Sequence, residues 1–116
     1  MGIKERGKWG EETALDYLNK NNYTTVQKGF RSRFGEIDII VKNKEFLVFV
    51  EVKTRKNADF AHACEYVSKA KQKKIISTAN YYLAKRPTKL QPRFDVIEIY
   101  TDPFEVNHIE NAFGVG

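Results

Sequence analysis

The chain has 116 residues, of which 41% are hydrophobic and 30% charged, and its net charge is +5. This size and composition predict one soluble globular domain over residues 1–116, and they exclude a fibrous, a disordered or a two-domain protein. The single cysteine, Cys64, excludes an internal disulfide, and neither a signal-peptide core nor an apolar run of membrane-spanning length is visible, so we expect a cytoplasmic protein.

The first predicted element is an amphipathic helix from Lys8 to Asn21. Apolar residues recur at helical spacing from Trp9 to Leu18, with charged residues between them. Glu11 is two helical turns before Leu18, which places a carboxylate on or beside the face that should be buried. A buried charge needs a partner, so Glu11 is a candidate functional residue.

Three strands are predicted next. Tyr23 to Phe30 is rich in Thr, Val and aromatic residues, as is typical of a strand, and a turn is expected near Ser32 to Gly35. The segments Glu36 to Val41 and Phe46 to Thr54 are separated by a short polar connection, which predicts an antiparallel hairpin.

A second helix is predicted from Tyr66 to about Ala84, and a final strand from Phe94 to Tyr100. Because a helical crossover leads to this last strand, it should lie parallel to a strand of the hairpin. The order helix, three strands, helix, strand predicts an α/β fold with a mixed central sheet flanked by helices. The segment from Asp102 to Gly116 carries only weak patterns, and its structure is left open.

The strand Phe46–Thr54 is apolar on both faces at its start, which is typical of a central, buried strand. Alternation places Glu51 and Lys53 on one face with Phe49. Charged groups there need a metal, a partner or access to solvent. In the neighbouring strand, Asp38 shares a face with Ile40, and the other face is expected to carry Ile37, Ile39 and Val41.

The hairpin register decides how Asp38 and Glu51 meet. A four-residue loop from Asn43 to Phe46 would pair them directly, whereas a two-residue loop would make them diagonal neighbours within about 7–8 Å. Either register brings two carboxylates together beside the amine of Lys53. Two close carboxylates repel unless a proton or cation lies between them, which favours a hard ion such as Mg²⁺ or Mn²⁺. The competing interpretation is a structural ion-pair network.

The basic residues are concentrated in one block. From Lys69 to Arg93 there are eight lysines and arginines and no acidic residue, which is typical of a phosphate-attracting surface or of a solvated helix face. The predicted site strands are flanked by Arg31, Arg33 and Arg55, which are candidates for contacts with nucleic-acid phosphates.

Three further polar residues are expected to be structural or incidental. Asp95 should pair with Arg93 or cap a turn. His62 and His108 lack ligand-like company and are predicted to be incidental.

Several motifs run in order through nearly the whole chain. They are Gly10-Glu11-Glu12-Thr13-Ala14 with Tyr17-Leu18, Phe30-Arg31 followed by Gly35-Glu36-Ile37-Asp38, Val48-Phe49-Val50-Glu51-Val52-Lys53-Thr54-Arg55, Val67 with Lys71, and Arg93-Phe94-Asp95-Val96. In this ordered set the chain resembles the bacterial YraN-like proteins, which belong by fold to the PD-(D/E)xK, or restriction-endonuclease-like, superfamily. Ile37 stands where the superfamily's namesake proline precedes the aspartate.

The resemblance implies a restriction-endonuclease-like αβββαβ core in which Asp38, Glu51 and Lys53 occupy the catalytic positions and Glu11 is the acid of the first helix. It also implies that the start of the second helix presents polar groups toward the site. These groups are Lys71 and Gln72.

The function expected from these features is that of a metal-dependent endonuclease that hydrolyses nucleic-acid phosphodiester bonds, with DNA as the expected substrate. Asp38, Glu51 and Glu11 would hold Mg²⁺ or Mn²⁺, and Lys53 would orient water or stabilise the developing negative charge. The alternative is a non-catalytic nucleic-acid-binding protein on a nuclease fold, acting within a larger DNA-processing assembly. A homodimer is also considered, because two cuts in a duplex favour a two-fold pair.

Overall fold

The computed structural model describes residues 3–57 and 67–114. In chain order the elements are helix α1 (Ile3–Lys20), strands β1 (Thr24–Ser32), β2 (Gly35–Lys42) and β3 (Phe46–Arg55), helix α2 (Lys69–Lys85), and strands β4 (Gln91–Thr101) and β5 (Phe104–Phe113). Within these described ranges, neither helix combines the length and the hydrophobicity needed to cross a membrane.

The five strands form one mixed sheet in the order β1-β2-β3-β4-β5. The pairs β1–β2, β2–β3 and β4–β5 are antiparallel, and β3–β4 is parallel. The predicted hairpin and the predicted parallel strand after the helical crossover are both confirmed. The architecture is therefore an α/β fold, compatible with a restriction-endonuclease-like core, and β5 extends it at one edge.

The element bounds differ from the prediction where hydrophobic periodicity is weak. Helix α1 begins at Ile3 and not at Lys8, and its residues 5–8 are exposed, so its first turns lack the apolar stripe on which the prediction depended. Strand β5 carries only weak patterns in the sequence, because it lies at the sheet edge and its residues are mostly partly or fully exposed. The predicted start of the second helix at Tyr66 lies outside the described residues. The helix begins after Ser68, whose hydroxyl accepts a hydrogen bond from the Lys71 N–H.

The two helices cover opposite faces of the sheet, as predicted. One core lies under α1, where Ala14, Leu15 and Leu18 pack on strand residues Ile39, Val41, Val48, Val50, Ile97 and Ile99. The other core lies under α2, where Ile75, Ala79 and Tyr82 pack on strand residues Phe30, Ile37, Ile40, Leu47, Phe49, Phe94 and Val96. Buried apolar area on both faces explains why β3 and β4 carry almost continuous hydrophobic runs.

Strict alternation along β2 breaks at Asp38. Ile37 packs under α2 together with Ile40, whereas Ile39 packs under α1, so the prediction that Ile37 and Ile39 share one face is wrong. In the β1–β2 register, Asp38 and Gly29 lie between the pairs Lys28–Ile39 and Phe30–Ile37. Gly29 has a φ of 67°. A left-handed residue is sterically easy only for glycine, and it locally turns the strands relative to each other.

Helix α1 approaches β3 closely at Gly10. A Cβ atom at this buried position would collide with the Oγ1 atom of Thr54, and the next nearest side-chain atom, on Val52, would be 3.7 Å away. The missing side chain lets the helix backbone lie directly on the end of β3. The adjacent residue, Glu11, is thereby carried to the same end of the sheet.

We expect Gly10→Ala to lower the free energy of unfolding by about 1 kcal/mol, although alanine normally favours a helix interior by about that amount over glycine. The new methyl group must displace Thr54 or the helix. Urea denaturation of Gly10→Ala, Thr54→Ala and the double variant checks this, because removing the hydroxyl should relieve part of the loss. Simple addition of the two single effects would contradict the close approach.

Candidate functional site

Strands β2 and β3 separate at Asp38. Their pairing runs from Lys42 opposite Leu47 to Ile39 opposite Val50, which is the register of the four-residue loop. One step further, the Asp38 Oδ2 atom accepts a 2.8 Å hydrogen bond from the backbone N–H of Val52. A side chain thus takes the place of a backbone acceptor and lies in the fork between the two strands, with Glu51 across from it.

The two carboxylates of the fork are crowded. Glu51 is only 5% exposed and Asp38 is half-buried. Burial, followed by the negative charge of Glu51, raises the pKa of Asp38 from 3.8 to about 7, although the hydrogen bond from Val52 opposes the rise. Near neutral pH the pair therefore favours either a retained proton on Asp38 or a nearby positive charge.

Two lysines supply positive charge to Glu51. The Nζ atom of Lys71 lies 2.9 Å from Glu51 Oε1, and that of Lys53 lies 3.8 Å from the same oxygen. Burial, together with the neighbouring Lys71 ammonium, lowers the pKa of Lys53. Burial opposes the charge of Lys71 too, but the hydrogen bond to Glu51 and the negative charges of Glu51 and Asp38 together outweigh it and raise the pKa of Lys71. Lys53 is thus the amine that loses its proton more easily.

Glu11 reaches the same place from helix α1. It lines a cavity of about 310 Å³ together with Asp38, Glu51, Lys53 and Lys71. We call this space the carboxylate cavity. Burial, followed by the charges of two other glutamates, raises the pKa of Glu11. A second cavity, of about 330 Å³, shares Asp38, Glu51 and Lys71 and continues along the start of α2 to Lys74.

The donor set fits a hard divalent cation. Asp38 and Glu51 offer carboxylate oxygens, which such ions prefer. The negative charge of Glu51 contributes to the raised pKa of Asp38, and a cation between the two acids would remove this repulsion. Among residues 3–57 and 67–114, no three His, Cys, Asp or Glu side chains are grouped closely enough to hold a metal. The predicted third ligand, Glu11, is therefore not grouped with Asp38 and Glu51 closely enough to complete a site of three carboxylates, and an ion here would have two carboxylate ligands.

The three arginines predicted to contact nucleic acid differ in their exposure to solvent. Arg31 is 80% exposed and lies 3.2 Å from Glu36, and the guanidinium of exposed Arg33 lies 4.9 Å from the ring centre of Phe34. Both are on the surface at the β1–β2 turn. Arg55 differs from the expected surface position, because it is 8% exposed and its Nε atom lies 3.3 Å from Glu98.

The start of α2 places its two candidate residues differently. Gln72 donates from Nε2 to the backbone oxygen of Val67 at 3.0 Å, so its amide is engaged within its own segment. Lys71 contacts Glu51 directly, which makes it part of the site and not only of a phosphate-binding surface. Its place at the start of the second helix was predicted from the sequence, but its contact with β3 was not.

A second polar network, at the start of β4, confirms one prediction and corrects another. Asp95 is fully buried and accepts hydrogen bonds from Arg93, as predicted, and from the backbone N–H of Asn111. His108 is not incidental, because its Nε2 atom lies 2.7 Å from Asp95 and its Nδ1 atom 3.2 Å from the Tyr17 hydroxyl. Burial opposes ionisation of Asp95, but the hydrogen bonds from His108 and Arg93 keep its pKa below the ordinary value. His62 lies outside the described residues.

Without divalent cations, we expect Asp38→Asn to be more stable than the wild type by about 2–4 kcal/mol at pH 8, with a smaller difference at pH 5. Because folding raises the pKa of Asp38, the stability due to its proton is complete below about pH 4 and is lost as the pH rises through 7. Asparagine can still accept the Val52 hydrogen bond without a charge. Urea denaturation at both pH values measures the difference.

The matched control is Asp16→Asn, which alters a carboxylate whose side chain is 68% exposed on α1. It should show little pH-dependent difference from the wild type. If the difference in free energy of unfolding between Asp38→Asn and the wild type stayed constant from pH 5 to pH 8, this would contradict the crowding of charge in the fork.

Residues 10–99 match the model of the uncharacterised protein family UPF0102. A UPF0102 protein of Clostridioides difficile (strain 630) is 46% identical over 114 residues, covering 97% of this chain and 100% of the relative. UPF0102 proteins of Caldanaerobacter subterraneus subsp. tengcongensis and Clostridium acetobutylicum are 45% and 42% identical, and the alignments cover 95% and 97% of this chain and 95% and 96% of the relatives. The matched ranges include the fork and both lysines.

Proposed function

The chain belongs to the uncharacterised protein family UPF0102, as its YraN-like motifs predicted, and we propose that it is a metal-dependent endonuclease that hydrolyses phosphodiester bonds in DNA. The observation that carries the proposal is the meeting of Asp38, Glu51 and Lys53 at the fork between β2 and β3. Two acids on adjacent strands, with a lysine two residues after the second acid, form the pattern of the PD-(D/E)xK superfamily.

Asp38 and Glu51 are the residues that would hold Mg²⁺ or Mn²⁺. When bound, such an ion neutralises charge on a phosphate and makes water more acidic. The crowding of the acids supports this assignment, because a cation between them removes the repulsion that raises the pKa of Asp38. Glu11 lies across the same cavity, and its raised pKa suits a carboxyl group that orients water by a hydrogen bond.

The two lysines, Lys53 and Lys71, would have different roles in the hydrolysis. Lys53 has a lowered pKa and is 27% exposed, so its amine can take a hydrogen bond or a proton from a water molecule that attacks the phosphate. Lys71 has a raised pKa and keeps its charge, so it can stabilise negative charge that develops on the phosphate oxygens. Both lysines form ion pairs with Glu51, which keeps their ammonium groups at the cavity.

The surroundings suit a nucleic-acid backbone. Lys74 lies in the cavity that continues from the carboxylates along α2, and Arg31 and Arg33 are on the surface of the β1–β2 turn. Lysines and arginines at phosphates release condensed counterions, which favours binding without sequence readout.

A second candidate function is nucleic-acid binding without catalysis. It is favoured by the ion pairs of Lys71 and Lys53 with Glu51, because these ammonium groups already offset negative charge where a metal would lie. Against it stands the position of Asp38, a half-buried acid with a raised pKa, which would repel phosphate in a protein that only binds DNA.

Calorimetric titration with Mn²⁺ separates the two functions. We expect the wild type to bind Mn²⁺ and to release protons near neutral pH, because the ion displaces the proton that Asp38 retains. Asp38→Asn should lose most of this affinity, while Asp16→Asn should keep it. Equal Mn²⁺ binding by the wild type and Asp38→Asn would leave only the binding function.

For catalysis, we expect Lys53→Ala to slow Mn²⁺-dependent nicking of plasmid or branched DNA by about a hundredfold or more. DNA affinity should change little, because several other basic residues near the site remain to bind the phosphates. The control is Lys44→Ala, which removes an exposed lysine from the β2–β3 turn. Equal nicking by Lys53→Ala and wild type would show that a contaminating nuclease produces the activity.

A further inference from the structure

A third cavity, of about 750 Å³, adjoins the carboxylate cavity. Its lining includes Arg6 and Thr54, which also line the carboxylate cavity. The rest of the lining comes from the start of α1, the end of β3 and the β4–β5 turn, and includes Trp9, Lys56, Asp102 and Phe104. We call this space the aromatic cavity, and its shared residues make it continuous with the proposed cleavage site.

Two aromatic rings form one side of the aromatic cavity. Phe104 is 61% exposed, well above the 39% of Tyr81, another exposed aromatic residue. The rings of Trp9 and Phe104 have centroids 6.2 Å apart and planes inclined by 69°. An edge-on contact leaves ring faces uncovered, and a bare aromatic face takes up a flat, unpaired nucleobase by stacking.

The position of Phe104 is held by the backbone. The N–H of Asp102 donates a 2.8 Å hydrogen bond to the backbone oxygen of Lys56, which ties the β4–β5 turn to the end of β3. Thr101 pairs with Phe104 across the turn. The ring is therefore presented by a hydrogen-bonded hairpin, so little ordering is needed when a ligand binds.

The charges of the aromatic cavity suit a phosphate next to the base. Arg6 and Lys56 are exposed, and within the described residues neither has an ion-pair partner. Asp102 adds one carboxylate, which can accept a hydrogen bond from an amino group of a base. Two cations without an ion-pair partner among residues 3–57 and 67–114, beside two aromatic rings, are the combination by which proteins hold single-stranded nucleic acid.

We propose that the aromatic cavity binds an unpaired nucleobase of the strand whose phosphate lies in the carboxylate cavity. This inference rests on the proposed function, and it assigns the substrate class: DNA with unpaired nucleotides beside the cleaved bond, such as overhangs, branches or single strands. A base inside an intact duplex cannot stack on Phe104 without leaving its own stack, which costs free energy. Fully paired DNA is therefore the poorer substrate.

The test uses the intrinsic fluorescence of Trp9, the single tryptophan of the chain. The probes are tetrathymidylate and an abasic tetranucleotide of the same charge, titrated without divalent cations so that no cleavage occurs. Tetrathymidylate should quench Trp9 and bind about five- to a hundredfold more tightly than the abasic probe.

The variant Phe104→Ala should remove that preference and leave affinity for the abasic probe unchanged, while Phe104→Tyr should retain it. Tyr81→Ala is the matched control, since it removes another partly exposed aromatic ring, on α2, and should leave the preference intact. Circular dichroism verifies that each variant is folded.

Equal affinity of the wild type for the two probes would overturn the inference, and so would an equal loss for both probes in Phe104→Ala. Either result would leave the nuclease proposal standing if Lys53→Ala still abolishes nicking. Conversely, a base preference in a protein that never cleaves DNA would end the nuclease proposal and retain the aromatic cavity as a base-binding site. Failure to bind either probe would likewise overturn the inference, and the nicking assay would still decide the nuclease proposal.

Discussion

The hydrogen bond from the Val52 N–H to the carboxylate of Asp38 is the contact on which the site depends. In a continuous antiparallel ladder, the acceptor would be a backbone carbonyl, and the two strands would stay together. Here the side chain satisfies the N–H, so β2 and β3 separate without leaving a backbone donor unpaired. The same bond holds a carboxylate in the fork, opposite Glu51.

Two buried acids, Asp95 and Glu98, differ from Asp38 in how fully their carboxylates are hydrogen-bonded. Asp95 and Glu98 are almost fully buried, and each receives several hydrogen bonds, from Arg93 and His108 in one network and from Arg55, Tyr100 and Asn107 in the other. Such groups hold strands β4 and β5 in place. Asp38 has one N–H donor and two acidic neighbours, an arrangement that is costly for stability and useful for binding a cation.

Charge in the site is balanced around Glu51, which contacts two lysines. One of these lysines is driven toward its neutral form and the other toward its charged form, so two residues of one type acquire different chemistry from their surroundings. The aromatic cavity extends the same groove through Arg6 and Thr54. A metal ion at Asp38 and Glu51, the amine of Lys53 and the ring of Phe104 would then contact successive parts of one DNA strand.

The sequence alone determined which face of β3 carries Glu51 and Lys53 and that the hairpin would bring Asp38 to them, because side-chain alternation and antiparallel pairing are local rules. It also determined that the strand after the second helix would lie parallel to a strand of the hairpin. Only the tertiary structure decided that Lys71 contacts Glu51, that Arg55 is buried against Glu98, and that His108 joins Asp95. These contacts join elements far apart in the chain, and periodicity reports the face a residue occupies but not which distant side chain meets it there.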